Sequence, residues 1–271
     1  LLWSQEKSNT SFLKNLPFGE FFNVHPGWLV GRGIARMDKL NEIFSNDIKS
    51  PMYKGTYILS PTNKMMIEKN INNIAIRIYG YDHHDDYMEI LREILCVAPK
   101  YGKKIAELAK QKIICQNITF SAVSEQEAIQ ENKITLSKNN FDDYGVPRIH
   151  MQFHLQNTVR KTMSTFMEEI GKYFISKDLG RIKIEDWLYD FSKDFSEYGK
   201  ADNGCHHIGS TRMGTDPQTS VTDQNLKIHN TNNVYVIGTS VFSSGGAVNP
   251  TLTICQLSLK LANHLKSLKF T

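Results

Sequence analysis

The 271 residues carry a net charge of +4 with 40% hydrophobic and 22% charged side chains, the balance of an ordinary folded chain large enough for one sizeable or two modest domains. The 32 basic residues are spread along the sequence, which argues against a nucleic-acid partner, and no apolar run reaches the length of a transmembrane segment. Cys96, Cys115, Cys205 and Cys255 form no CxxC pair, so neither a structural zinc site nor a disulfide framework is implied; a reducing compartment is compatible and an oxidising one stays open.

LLWSQEKSNT opens the chain without a methionine and without the basic-then-apolar order of a secretory signal. LLWS reads as the middle of an element, so a piece of a longer protein is expected, soluble and either cytoplasmic or periplasmic. From Phe12 to Ala35, glycine, proline and aromatic residues, notably 25-HPGWLVGRG-33, predict loop with short extended pieces. YKGTYILS (53–60) and INNIAIRIY (71–79) predict strands, the second through alternating Ile74, Ile76 and Ile78. The period then changes, and Asp85 to Lys112 reads as helix in one or two pieces broken near Pro99 and Gly102.

CQNITFSAV (115–123), NKITL (132–136) and RIHMQFHL (148–155) predict further strands. A helix follows from about Asn157, where Val159, Met163, Phe166, Met167, Ile170 and Phe174 form an apolar stripe that packs on the sheet. IEDWLYDFSKDF (184–195) predicts a short helix before the polar, turn-rich 196-SEYGKADNG-204. NLKIH (225–229) and NVYVIG (233–238) read as extended pieces, the second apolar enough for a buried strand. After the turn SSGGAVNP (243–250), TLTICQLSLKLANHLKSL (251–268) predicts a helix with Thr251 as its cap and Leu252, Cys255, Leu259 and Ala262 on one apolar face.

Chemistry gathers at 204-GCHHIGSTRMG-214. Adjacent side chains diverge, so His206 and His207 do not automatically serve one centre. A metal would need a third ligand from Cys205, Asp216 or His229, and nothing in the spacing fixes one; no metal site is expected. The cluster 82-DHHDD-86 reads as a solvated helix start. Cys205 lacks both a paired cysteine and a helix-start position that would activate its thiol. Proton transfer by a neutral histidine and plain hydrogen bonding within a loop both stay open on these residues alone.

The stretch continues, however, through 216-DPQTSVTDQNLKIH-229 and 232-NNVYVIGTSVFSSGGAVNPTLTI-254. This ordered series resembles the carboxy-terminal signature of the glucose-methanol-choline (GMC) oxidoreductases, FAD-dependent alcohol oxidases and dehydrogenases. Upstream, LLWS, HPGWLVGRG, 132-NKITLS-137 and 144-YGVPRIHMQFHL-155 are similar to the family's substrate-domain passage and the approach to it. The form HHIGSTRMG is similar to the sugar and bacterial dehydrogenase branches.

The resemblance implies an α+β fold: a substrate domain with a mostly antiparallel sheet flanked by helices, plus the carboxy-terminal strand-helix portion of an FAD-binding α/β domain. It divides the chain into 1–35, leading in from the flavin domain, 36–199, the substrate-binding domain, and 200–271, completing the flavin domain and active site. The implied reaction is oxidation of a primary or secondary alcohol, such as a sugar, polyol or other small alcohol, by hydride transfer to flavin N5. His206, rather than His207, matches the proton acceptor, and Asn249, ahead of Pro250, matches its partner. Ser240, Val241, Asn249, Pro250 and Thr251 are the implied cofactor contacts, and Arg212 is expected to organise its loop. Gly238 stands where several family members carry an acidic residue. No GxGxxG occurs in the chain, so the grip on FAD is expected from an amino-terminal segment or subunit. Oxygen, a quinone or a carrier protein would serve as electron acceptor. The alternative is a non-catalytic orphan GMC carboxy-terminal domain with a binding or assembly role.

Overall fold

The computed structural model describes residues 1–7, 15–36, 39–40, 43, 56–81, 115–192 and 206–268. In chain order its elements are α1 (Leu2–Lys7), β1 (Gly27–Arg36), β2 (Thr56–Leu59), α2 (Asn63–Lys69), β3 (Ile74–Tyr81), β4 (Cys115–Ser124), β5 (Lys133–Phe141), β6 (Pro147–Gln152), α3 (Asn157–Ser176), β7 (Gly180–Ile184) and α4 (Thr251–Ser267). The architecture is α+β, with a mostly antiparallel sheet flanked by helices. Two units emerge: Leu1–Pro26, Glu125–Gln156 and Asn203–Thr271 in one, Gly27–Ser124 and Asn157–Asp202 in the other. The helix expected over 85–112, the cluster 82–86, Cys96 and Cys205 lie outside the described residues.

In the second unit five strands form one sheet in the order β2-β3-β4-β1-β7, each neighbouring pair antiparallel. Alternation produces its apolar face: Ile74, Ile76 and Ile78 of β3 and Ile118, Phe120 and Ala122 of β4 are all buried. α3 packs against β7, β1 and β4. All six residues of its predicted stripe are buried, and the Phe174 ring meets Phe120 edge-on at 5.8 Å. Each such large apolar side chain stabilises the unit by about 1.5–3 kcal/mol relative to exposure. Arg160 is buried near the start of α3, with its guanidinium 5.2 Å from the Phe191 ring and Nη1 donating to the Asp190 carbonyl.

Two expectations change here. The glycine-rich stretch read as loop contributes to β1, flanked by β4 and β7. A Cβ at Gly33 would lie 2.4 Å from the Arg181 carbonyl oxygen, so this glycine lets β7 approach, while a register shift between Leu29 and Gly31 breaks the alternation that would have announced a strand. Among the described residues, which run to 192 here, the helix expected over 184–195 gives a 3-10 turn at Asp186–Leu188, because Ile184 ends β7 and the Glu185 amide still bonds Val30 of β1. Two elements have no counterpart among the predictions: β7 itself, and α2, whose Thr62 cap accepts from the Met65 amide at 3.2 Å.

In the first unit β5 and β6 pair as an antiparallel hairpin, longer at β5 and shorter at β6 than predicted. The strip through 19–23 runs between two other segments. Ile134 donates to Gly19 O and Phe22 to Asn132 O on one side; Gly19 donates to Ser210 O, and Asn23 exchanges both main-chain bonds with Ile208, on the other. Leu16, Phe18, Val221 and Ile228 form a small buried core with Leu2 and Val236 against it.

The strand expected at 233–238 is not buried. Main-chain bonds from Ile228 to Val234 O and from Val236 to Leu226 O hold it at isolated bridges, leaving Val234 37% and Ile237 43% exposed. α4 begins with Pro250 as its cap residue and no side-chain cap bond, so Thr251 is the first helical residue rather than the cap. No α4 residue is buried: Leu252 is 70% and Leu259 68% exposed, with Cys255 and Ala262 also exposed along the predicted apolar face. No helix among the described residues is long and apolar enough to cross a membrane.

Candidate active site

Gly209 explains how the histidine segment is seated. Its φ of +80° suits glycine, and a Cβ there would lie 2.0 Å from the Phe21 carbonyl oxygen. Only a residue without a side chain brings the segment against the 19–23 strip. Around that contact Arg212 stacks its guanidinium 4.3 Å from the Phe21 ring, and its carbonyl accepts from Val221. Arg212 thus links three chain segments, in keeping with its expected organising role.

The same segment is bound on its other side to the turn after NVYVIG. Gly209, Thr211 and Met213 donate main-chain bonds to Thr239, Ser240 and Val241, at 3.3, 3.0 and 2.8 Å, and Thr211 Oγ1 donates to Ser240 Oγ at 2.8 Å. The structure thereby joins the His206 segment to Ser240 and Val241, which lie in a 3-10 turn. Val241 is fully buried.

His206 is half-buried, whereas His207 is exposed and packs its ring 5.6 Å from Phe22. The two imidazoles therefore have different surroundings. The neighbour of His206 is His25, which no motif singled out. His25 is 1% exposed; its Nδ1 lies 3.1 Å from His206 Nδ1, and its Nε2 lies 2.9 Å from the Gly245 carbonyl oxygen. The rings meet at 84°, their centroids 5.2 Å apart. Burial pushes the His25 pKa below its ordinary 6.5, opposed by the Gly245 bond, reinforced by His206 and opposed by Glu125. Glu125 Oε1 also accepts from the Gly246 amide at 3.2 Å.

His25 thus fastens the His206 segment to the turn that leads into α4. Asn249 follows Gly245 by one short turn and is exposed, Pro250 is buried, and Thr251 is exposed at the helix start. The first turn of α4 carries no acidic residue and no side-chain cap, so its leading amides are disposed toward a group of negative charge. Asp216 and His229 are engaged elsewhere: Asp216 Oδ1 accepts from Gln218 N, and His229 Nε2 lies 3.0 Å from Ser220 Oγ. Among the described residues no three His, Cys, Asp or Glu side chains are placed to hold a metal ion.

Known proteins carry related sequences. The family model described as GMC oxidoreductase matches residues 128–258. The fructose dehydrogenase large subunit of Gluconobacter japonicus is 28% identical over 164 residues, 60% of this chain and 28% of that protein. Pyranose 2-oxidase of Tricholoma matsutake is 44% identical over 152 residues, 53% of this chain and 25% of that protein. Among solved structures, pyridoxine 4-oxidase from Mesorbium loti aligns with a TM-score of 0.46 at 10% identity, covering 93% of this chain and 44% of that one. The chain spans well under half the length of the curated relatives it matches. Motif order and family match together identify residues 128–258 as the carboxy-terminal part of a GMC oxidoreductase family domain.

Proposed function

We propose that the chain supplies the proton-handling side chains of an FAD-dependent alcohol oxidoreductase, with the grip on FAD provided by an amino-terminal segment or partner subunit. In this reading 36–199 is the substrate-binding domain, and 1–35 with 200–271 complete the flavin domain. Relatives named for fructose and pyranose favour a sugar, polyol or other small alcohol as substrate. The observation that carries the reading is the placement of His206: half-buried, tied at one ring nitrogen, on a segment bonded to the turn before Asn249.

His206 accepts the hydroxyl proton as negative charge develops on the alcohol oxygen. The Asn249 amide donates a hydrogen bond to the same oxygen, orienting it without itself titrating. When bound, the flavin supplies the two-electron acceptor for the carbon-bound hydrogen. Asn249, Pro250 and Thr251 would hold it, completed by Ser240 and Val241, and the uncapped start of α4 suits a cofactor that gains negative charge on reduction.

The test uses the full-length flavoenzyme mixed with alcohol in the absence of oxygen. His206→Ala should slow bleaching of the flavin by ~100-fold or more. Bleaching at the wild-type rate in that variant would remove His206 from the reaction.

A further inference from the structure

We propose that His25 is the positioning residue of His206: its Nδ1 accepts the His206 Nδ1–H, so that His206 presents Nε2 as its bare, proton-accepting nitrogen. The proposal rests on the reading of His206 as the base, and goes beyond it by naming the atom and the residue that selects it.

Donor and acceptor chemistry leaves one arrangement. A carbonyl oxygen only accepts, so the nitrogen 2.9 Å from Gly245 O, His25 Nε2, carries a proton. Two titratable groups act on the ring, His206 and Glu125, and burial, the largest influence, favours its neutral form. A neutral imidazole with hydrogen on Nε2 has a lone pair on Nδ1. The nitrogen 3.1 Å away, His206 Nδ1, must then be the donor. In the opposite tautomer two lone pairs would face each other across 2.9 Å at Gly245, and a doubly protonated His25 would place a charge on a side chain that is 1% exposed.

The consequence is specific to proton transfer. When the alcohol proton arrives at Nε2, His206 becomes an imidazolium whose Nδ1–H already has an acceptor, and that bond strengthens as the charge appears. His25 itself is anchored from behind, because the turn carrying Gly245 is held where the Gly246 amide donates to Glu125. Ring orientation, tautomer and the attitude of the turn before Asn249 are therefore set by one buried side chain.

Two variants of the full-length flavoenzyme separate the two bonds of His25. His25→Asn sets an amide oxygen near the place of Nδ1 and keeps an acceptor for His206. His25→Gln sets an amide NH2 near the place of Nε2, keeping the donor to Gly245 and removing that acceptor. His25→Gln should slow anaerobic flavin bleaching about tenfold or more at saturating alcohol, with little change in the alcohol concentration needed for half-saturation, and His25→Asn should restore most of the rate. Solid-state 15N spectra of histidine-labelled protein, with the His206 signals assigned by their loss in His206→Ala, should show Nδ1 protonated and Nε2 bare in the wild type. In His25→Gln the population should move toward the other tautomer.

A wild-type His206 protonated on Nε2 overturns the proposal, as does a His25→Gln variant with unchanged rate and spectrum. If His206→Ala leaves bleaching intact, the catalytic reading fails by itself, and the 15N spectra still decide whether His25 sets the tautomer. If His25→Gln sheds its flavin, the wild-type spectrum and the His25→Asn rate decide: Nδ1 protonated with a near-normal rate supports the proposal, and Nε2 protonated overturns it.

Discussion

A histidine buried in its neutral form makes stability depend on acidity. Burial holds the folded-state pKa of His25 below 6.5, its ordinary value and that of the unfolded chain. Above about 6.5 neither state binds the proton, and the contribution of His25 is fully present. As the pH falls from there toward the depressed folded value, the unfolded chain takes up a proton that the folded chain refuses, and stability is lost. The thermal unfolding midpoint of the full-length protein should therefore fall across this window, and His25→Asn, which cannot titrate, should show a shallower fall. Equal slopes would mean that other groups govern the acid sensitivity. The pairing of His25 with His206 was not legible in the sequence: His25 opens the HPGWLVGRG stretch, but nothing there points to a partner 181 residues away. His206 was legible because a motif surrounds it.

Among the elements, β3, β4 and α3 could be read because each buries one face and repeats its apolar residues at the matching period. β1 could not, since its glycines answer to the close approach of β7 rather than to any local preference. Gly33→Ala should thus destabilise the sheet by about 1–3 kcal/mol, the range for forcing atoms into a filled space, seen as a lower unfolding midpoint. An unchanged midpoint would mean that β7 gives way without strain. The truncated helix at Asp186–Leu188 and the exposed segment at 233–238 failed for a different reason: apolar composition says that a segment prefers cover, while the chain around it decides how much cover it receives. Trp187 finds its cover against Trp28, ring centroids 5.8 Å apart, without needing further helical turns.

At the scale of the whole molecule, the exposed face of α4 follows from the proposed requirement for an FAD-binding part. Leu252 and Leu259 make little contribution to packing within the described residues, so Leu252→Glu combined with Leu259→Glu should change local stability by no more than about 0.5 kcal/mol. In the full-length protein the same pair should lower the flavin-to-protein absorbance ratio after gel filtration, because buried carboxylates would oppose docking of that part. An undiminished ratio would exclude this face as its seat.

The strip at 19–23 also has a consequence in time. Its inner edge pairs with 132–134 and its outer edge with 208–210, so during synthesis it emerges long before either partner. Loop closure over such separations adds only about 0.6 kcal/mol for each doubling of length, but it delays assembly. Until the ribosome releases Ile208, the main-chain N–H and C=O of Asn23 lack their native partner, and a chain interrupted ahead of His206 keeps that edge open. Such an interruption leaves an unpaired edge able to recruit a neighbouring chain, with aggregation competing against degradation for the product.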